Sequence, residues 1–376
     1  MMIRLKKIVY LLIGLVLIFS CEAKIRIDHP LVWDMNLLEQ MRVDGLKSPL
    51  ARQLIKTADV FCEAKPVAVT EKNERTFEPD MHYFCSTGPY WWPDSLNTEK
   101  YINKDGVVNP ESKQYDNVRL EELVRRCKAL SQAFYITEDR KYYNAFLRQL
   151  QVWFINRDTY MYPTFEYSQV VPGNYGNKGR STGMISAYRF NTVIESIRLL
   201  NGVKKIDNRT MKVVQKWFCA FANDSEDRFG QKFRTVDNNI SLAYDITIAN
   251  MYLFAGKEKR AKEIVDKFND LRIERQILED GSQPVELKRT KAFSYSLYNL
   301  SHIVDFCFLA RYWYPKYYQE HRDRIDKAFI FLEQYVDNKK SFPFQQISDW
   351  EKCMKDYQNL LDRIEQLRFD SQLLLG

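Results

Sequence analysis

Three cations, Lys288, Arg289 and Lys291, stand close to two tyrosines in the segment 280–298, which reads DGSQPVELKRTKAFSYSLY. Arg289 and Lys291 can bind carboxylates, and the phenols of Tyr295 and Tyr298 can accept and donate protons. On a helix, spacings of three and four residues place Lys291, Tyr295 and Tyr298 on one face. Such a set suits a polymer of uronic acids, whose carboxylates need cations and whose cleavage by elimination needs a positioned phenol. An aromatic stripe at this spacing is also typical of core packing, so the residues alone leave both interpretations open.

Two further blocks lie upstream. Residues 86–94 read STGPYWWPD and are followed by Asp-Gly and Asn-Pro-Glu, and residues 159–173 contain TYMYP, EYSQ and a Pro-Gly turn. With the segment 280–298, these ordered blocks resemble the alginate lyase family over roughly residues 60–310. The resemblance implies an all-α fold, an incomplete (α/α) toroid whose helix hairpins surround a central cleft. It also implies cleavage of alginate or a related acidic uronate polymer by β-elimination, without a metal or other cofactor.

The resemblance gives four residues a catalytic role. Asn239, together with Arg289 or Lys291, would neutralise the substrate carboxylate, and Tyr298 would act as both base and acid. Arg is the better bidentate partner of a carboxylate, which favours Arg289 without excluding Lys291.

The position after Asn239 departs from the family pattern. Family members begin this helix with Asn-Asn-His, whereas here Asn238 and Asn239 precede Ile240, which can neither donate a hydrogen bond nor take a proton. Either the tyrosine serves alone as base and acid, or activity is weakened and the chain binds acidic glycans without cutting them. The asparagines are also favoured helix caps, which is the purely structural interpretation.

Other polar and aromatic residues within or near the matched blocks are candidates for substrate binding. They are Tyr90, Trp91, Trp92, Gln169, Arg180, Arg234, Tyr295 and His82. The aromatic run 90–92 is either a sugar-stacking platform or a plug that fixes the N-terminal loop, and the loop of Gln169 and Arg180 either lines the cleft or only connects helices. His82 is a possible replacement for the missing histidine, and His302, when charged, could lower the pKa of Tyr298.

A glycoside hydrolase on the same fold is an alternative, for which Asp237, Asp245 and Glu286 supply carboxylic acids.

The N-terminus has the features of a secretory signal. Three cations precede the apolar run 8–19, which is too short for a stable membrane span, and Ser20-Cys21 follows. Residues 18–21, IFSC, resemble a bacterial lipobox, so we predict lipidation at Cys21 and location in the periplasm or outer membrane; simple cleavage near Ala23 is the alternative. The only membrane contact expected is the lipid anchor.

The net charge and the cysteine and histidine content limit the kinds of partner and site that we expect. The net charge is +7, and without the three leader cations it is about +4, which favours an acidic polysaccharide. The chain lacks the lysine-dense run of a nucleic-acid-binding arm. Six scattered cysteines follow Cys21 and are predicted to be buried free thiols. The four histidines form no zinc-type pair, and the oligomeric state is not specified.

From about residue 117 apolar residues recur every three or four positions, which predicts successive helices. The predicted spans are 118–136, 141–154, 185–200, 211–221, 240–254, 261–278, 292–312, 322–336 and 350–375, with no strand of useful length. We therefore predict one toroid domain over residues 22–376, with long ordered loops before residue 116 that cover the cleft.

Overall fold

The computed structural model describes residues 28–373 except residues 73, 75, 338 and 348. The leader and Cys21 lie outside the described residues. Among those that are described, no helix is both long and apolar enough to cross a membrane.

The described residues are mainly helical. The longer helices are α1 (Met35–Asp44), α2 (Pro49–Glu63), α3 (Asn117–Thr137), α4 (Arg140–Leu150), α5 (Phe190–Val203), α6 (Asn208–Ser225), α7 (Asn239–Phe254), α8 (Glu258–Phe268), α9 (Ala292–Ala310), α10 (Tyr317–Glu333) and α11 (Trp350–Leu373). Single α-helical turns lie at Met184–Ala187, Gln231–Phe233, Glu274–Gln276 and Pro284–Leu287. The strands are β1 (Cys85–Thr87), β2 (Trp91–Pro93), β3 (Tyr101–Asn103) and β4 (Tyr167–Val170).

Side-chain caps start several of these helices. Asp34 accepts hydrogen bonds from the first turn of α1, Ser48 caps α2 with a proline at the next position, and Asp207 caps α6. These residues pair backbone N–H groups that would otherwise have no partner within the helix. Helices α1 and α2 lie in the N-terminal region, for which the sequence predicted long loops around residues 87–110 and no helix.

The helices form the predicted toroid. Helices α3, α5, α7 and α9 contact one another in succession, and α3, α7 and α9 pack on α4, α8 and α10 respectively. Helix α6 packs on α7, and its Trp217 and Phe218 contact the Phe190 ring of α5. One continuous apolar core runs through them from Leu31 to Leu367. Every residue of α7 except Ile240 is buried, as expected of an inner helix.

The predicted helix 185–200 is divided between the turn Met184–Ala187 and α5, and the predicted helix 141–154 continues beyond α4 as a π-helical turn, Gln151–Ile155. The predicted helix 261–278 is interrupted as well. Helix α8 ends at Phe268, and a π-helical turn, Asn269–Ile273, precedes the short segment Glu274–Gln276. The buried Arg272 in this turn donates to Asp245 and to the Phe233 carbonyl. Because a buried guanidinium needs such partners, these contacts account for a break that apolar periodicity did not reveal.

Short strands hold the loops at one end of the toroid. β1 pairs in parallel with β4, and β2 pairs with β3 as a hairpin in which Trp91 lies opposite Asn103. The pairing brings the block 86–94 beside the block 159–173. The strands are three or four residues long, consistent with the prediction of no longer ones. The six cysteines after Cys21 are free, four of them buried and Cys62 and Cys219 half-buried.

Candidate active site

The three sequence blocks meet at one cleft, here called the main cleft, of about 790 Å³. Its walls come from the N-terminal loops, the start of α3, the loop between β4 and α5, the start of α7 and the segment 289–298. The lining residues are Pro89, Tyr90, Trp91, Asn103, Asp105, Val108, Ser112, Lys113, Asn117, Val118, Glu121, Gln169, Arg180, Thr182, Ile185, Ser186, Arg189, Asn238, Asn239, Ile240, Arg289, Tyr295 and Tyr298. The volume lies in the range of about 300–1,000 Å³ that is usual for ligand sites.

The two asparagines at the start of α7 have separate tasks. Asn238 is the cap, and its side-chain oxygen accepts from the N–H groups of Ile240 and Ser241 at 3.0 and 3.3 Å. Asn239 donates from its backbone and from Nδ2 to the two carboxyl oxygens of Glu286, at 2.8 and 2.9 Å. Capping therefore accounts for Asn238, while Asn239 is held in one orientation at the wall of the cleft.

The buried carboxyl group of Glu286 fixes the orientation of the Asn239 side chain. Glu286 is 1 % exposed, and burial raises the pKa of its carboxyl group, whereas the two hydrogen bonds from Asn239 act in the opposite direction. Asn239 Nδ2 carries a second hydrogen, which remains for a ligand.

Arg289 is fixed by a carboxylate of the N-terminal loop. Its Nε and Nη2 donate to Asp105, the closest contact being 2.6 Å, and its guanidinium lies 3.8 Å from the Tyr295 ring centroid. Burial raises the pKa of Asp105, but the hydrogen bonds from Arg289 and Thr290 outweigh it and bring the pKa to about 2. Arg289 is thus positioned with Nη1 still available, and it needs no rearrangement to meet a substrate.

Arg180 is a cation without a carboxylate partner among the described residues. It is half-buried, its Nε donates to the Gln169 carbonyl at 3.0 Å, and its guanidinium lies 5.3 Å from the Trp91 ring centroid. Gly88 permits this approach, since a Cβ there would lie 2.9 Å from Arg180 Nη2. Burial lowers the pKa of Arg180. An anionic ligand would relieve this uncompensated charge.

Gln169 holds Arg180 at the cost of backbone strain. Its φ is +54°, in the left-handed region that residues other than glycine rarely adopt, and its N–H donates to Ser86 Oγ at 2.9 Å. Strain of this kind persists where surrounding structure enforces it, commonly at functional sites.

The two tyrosines differ in what their hydroxyls contact. Tyr295 donates to the Tyr90 hydroxyl at 2.8 Å, whereas no described residue forms a hydrogen bond with the Tyr298 hydroxyl. Tyr298 is 37 % exposed. Burial, followed by the bond to Tyr90, raises the pKa of Tyr295. Desolvation by the cleft walls raises the pKa of Tyr298 to about 12, and the nearby charge of Arg189 acts against this rise.

Arg189 is a site residue that sequence reasoning missed. It lies between the turn Met184–Ala187 and α5, and it forms an ion pair with Glu121 at 2.7 Å. Arg189 lies in none of the matched motifs, so no sequence pattern indicated a role for it. Asp105 was part of a matched block, but only the structure shows that it holds Arg289.

Four predicted residues do not line the main cleft. Lys291 points into a neighbouring cavity. Trp92 donates from its indole to the Val107 carbonyl, which fits the plug rather than the platform interpretation, and Arg234 is exposed beside α7. His82 stacks on Tyr162, with Nδ1 2.6 Å from the Tyr160 carbonyl, so it does not replace the histidine absent at Ile240.

His302 also lacks the role considered for it. It is fully buried below Tyr298, with ring centroids 4.3 Å apart, and burial lowers its pKa to about 3. The imidazole is therefore neutral at physiological pH and cannot stabilise a phenolate by its charge. It is a core residue.

Comparisons with known proteins identify the family and the fold. The sequence model of the alginate lyase family matches residues 68–342. A crystal structure of an alginate lyase from Bacteroides ovatus is 30 % identical, covers 90 % of this chain and 92 % of its own, and has a TM-score of 0.84. No curated protein matches the chain.

Two structures of alginate lyase A1-III, an enzyme from Sphingomonas species A1, share the fold at lower identity. Both are 16 % identical and cover 86 % of this chain and 82 % of their own. One is a histidine-to-alanine variant in its apo form, with a TM-score of 0.55, and the other is a tyrosine-to-phenylalanine variant complexed with a tetrasaccharide, with a TM-score of 0.54.

Proposed function

The chain belongs to the alginate lyase family of polysaccharide lyases, and we propose that its main cleft cleaves alginate or a related uronate polymer by β-elimination. The observation that carries the proposal is a cleft in which Arg180 is uncompensated and Arg289 and Asn239 are fixed beside the open hydroxyl of Tyr298. Elimination needs a neutralised carboxylate and one group that exchanges a proton.

In the proposed reaction, Asn239, Arg180 and Arg289 bind the carboxylate of the sugar whose C5 proton is removed. Neutralising that carboxylate makes the C5 proton more acidic and stabilises the enolate-like intermediate. The phenolate of Tyr298 takes the proton. The electron pair of the C5–H bond then forms the C4–C5 double bond, and the C4–O bond breaks.

Tyr298 returns a proton to the departing oxygen, so the tyrosine ends in the state in which it began. Arg189 favours the phenolate that starts the cycle, because a cation stabilises a neighbouring anion. In this reaction Tyr298 transfers the proton, and Ile240 takes no part in proton transfer. As the one half-buried residue of α7, Ile240 instead contributes apolar surface to the cleft.

The positions of the carboxylates disfavour the hydrolase alternative, since glycoside hydrolases generally use a pair of carboxyl groups that flank the scissile bond. Among the three proposed acids, Asp245 binds the buried Arg272, Asp237 binds Arg275, and Glu286 holds Asn239. None of these three lines the main cleft. The carboxylates in its described lining are Asp105 and Glu121, each ion-paired with an arginine.

A spectrophotometric assay tests the proposal. The protein without its leader is mixed with alginate blocks, glucuronan and glycosaminoglycans, and absorbance of the conjugated uronate is followed while calorimetry records binding. A rise in absorbance with one polymer is the expected result. Binding without a rise would favour the glycan-binding alternative, and new reducing ends without a rise would favour hydrolysis.

We further propose that the protein is exported and lipidated at Cys21, which rests on the basic, apolar and lipobox-like order of residues 4–21. Labelling cells with a clickable fatty acid should mark the wild-type protein and leave Cys21→Ala unmarked. An unmarked wild-type protein would contradict lipidation.

A further inference from the structure

A second cavity, here called the side cleft, adjoins the main cleft. It has a volume of about 550 Å³ and shares Tyr90, Tyr295 and Tyr298 with the main cleft. Its other lining residues come from α9, from the residue that precedes it and from α11: Lys291, Ser294, Leu297, Ser301, Lys352, Asp356, Asn359, Leu360 and Arg363. A chain that passes Tyr298 from the main cleft would therefore enter the side cleft.

Lys291 is the cation best placed to bind an anion there. It precedes α9 and pairs as an isolated β-bridge with Gln346, which fixes its backbone, and its side chain has no carboxylate partner among the described residues. Lys291, Tyr295 and Tyr298 share one face, as their spacing predicted, but that face borders the side cleft.

Helix α11 supplies a second cation to the lining of the side cleft. Lys352 has 70 % of its side chain exposed and forms an ion pair with Asp356, a surface contact that contributes little stability. Arg363 is committed to Asp305 and to the Val32 carbonyl, so it is less available to a ligand.

The rest of the lining suits a sugar. The tyrosine rings and Leu297 and Leu360 offer apolar surface, while Asn359 and Ser301 offer hydrogen-bonding groups. Helix α11 lies beyond residue 342, where the family match ends, so the match assigns it no part in substrate binding.

We propose that the side cleft is an additional subsite, in which Lys291 and Lys352 bind the carboxylate of a uronate residue beyond the two sugars joined at the cleaved bond. The inference rests on the proposed function and extends it. It makes affinity depend on chain length, because only oligomers long enough to pass Tyr298 reach these lysines.

The test compares Lys291→Gln and Lys352→Gln with wild type on a ladder of oligouronates. On long oligomers we expect KM to rise about fivefold for each variant, the size of one solvated charge contact. On the shortest cleaved oligomer the wild-type and variant values should agree. Lys291→Arg should restore affinity, and Lys355→Gln, which removes a charge from α11 outside the side cleft, should behave as wild type.

Equal losses at every length, or no loss at any length, would overturn the subsite. Calorimetry with the same ladder separates the two proposals. If no oligomer is cleaved, the proposed function fails, but a length-dependent loss of affinity in Lys291→Gln would still support the subsite, and its absence would reject it.

Discussion

The main cleft and the side cleft meet at three tyrosines, yet they hold their polar groups differently. In the main cleft Asp105 fixes Arg289 and Glu286 fixes Asn239, whereas in the side cleft Lys291 has no carboxylate partner among the described residues and Lys352 is largely exposed. Side chains that act on the reacting sugar must be held in a fixed position. Side chains that bind sugars further along the polymer can be solvated and contribute little each. Substitutions in the main cleft should therefore affect turnover of every substrate, and those in the side cleft only the binding of long ones.

The largest effect is expected at the tyrosine that transfers the proton. Tyr298→Phe should lower kcat by about 10³-fold, the usual contribution of a general acid–base group, at every oligomer length. Tyr295→Phe is the matched control. It loses only the hydrogen bond to Tyr90, so a decrease of about tenfold or less is expected. Steady-state rates of unsaturated product formation decide between them, and a larger loss in Tyr295→Phe would transfer the role to that residue.

The next effect concerns the uncompensated cation. Arg180→Gln should lower kcat/KM by about 10²-fold, because a preorganised donor at the developing charge is lost. Its control is Lys178→Gln, two residues earlier, where the cation pairs with Glu166 outside the cleft. Initial rates, with thermal melting to verify folding, provide the measurement. Similar losses in both variants would mean that charge near the cleft matters more than the position of Arg180.

A smaller effect should follow from releasing Asn239. Glu286→Gln keeps the size of the side chain but leaves one acceptor oxygen for two donors, the Asn239 backbone N–H and Nδ2. We expect kcat to fall about tenfold and stability to fall by about 1–3 kcal/mol, the cost of a buried unpaired donor. Steady-state rates and thermal melting provide the two measurements. An unchanged kcat would show that catalysis does not require Glu286 to hold Asn239.

The pH dependence should show the smallest change. Only the phenolate of Tyr298 can take the C5 proton, so kcat/KM should rise with pH below the pKa of this phenol. Arg189→Gln removes the cation that lowers this pKa, and the rising limb should move up by about one pH unit. Glu121→Gln frees Arg189 from its ion pair and should move the limb slightly down. Identical profiles for the three proteins would separate Arg189 from the proton transfer.

Much of the fold follows from the sequence, because inner and outer helices bury apolar residues at helical spacing. Helices α1 and α2 were not predicted, although α2 buries Ala51, Ala58 and Phe61 at helical spacing, so the periodic pattern was present before residue 117 as well. Within the site, Arg289 was predicted from a matched block, Asn239 from its resemblance to the family's Asn-Asn-His, and Arg180 from the polar loop that follows the Pro-Gly turn. Arg189 belongs to none, and its contact with the cleft arises from the packing of α5 against α3.

Lys291 shows a different limit of sequence reasoning. Helical spacing correctly placed it on one face with Tyr295 and Tyr298, but both tyrosines border two cavities. Periodicity gives the face of a helix and not the cavity which that face borders. The proposal that Arg289 rather than Lys291 binds the reacting carboxylate therefore rests on the contact between Arg289 and Asp105.

The most direct test of the central claim is a crystal structure of Tyr298→Phe with a uronate oligomer that the wild type cleaves. The account predicts a sugar carboxylate in contact with Asn239 Nδ2 and with Arg180 or Arg289, and C5 of the same sugar facing the ring edge of residue 298. An oligomer bound with C5 facing Tyr295, or bound away from these side chains, would contradict it.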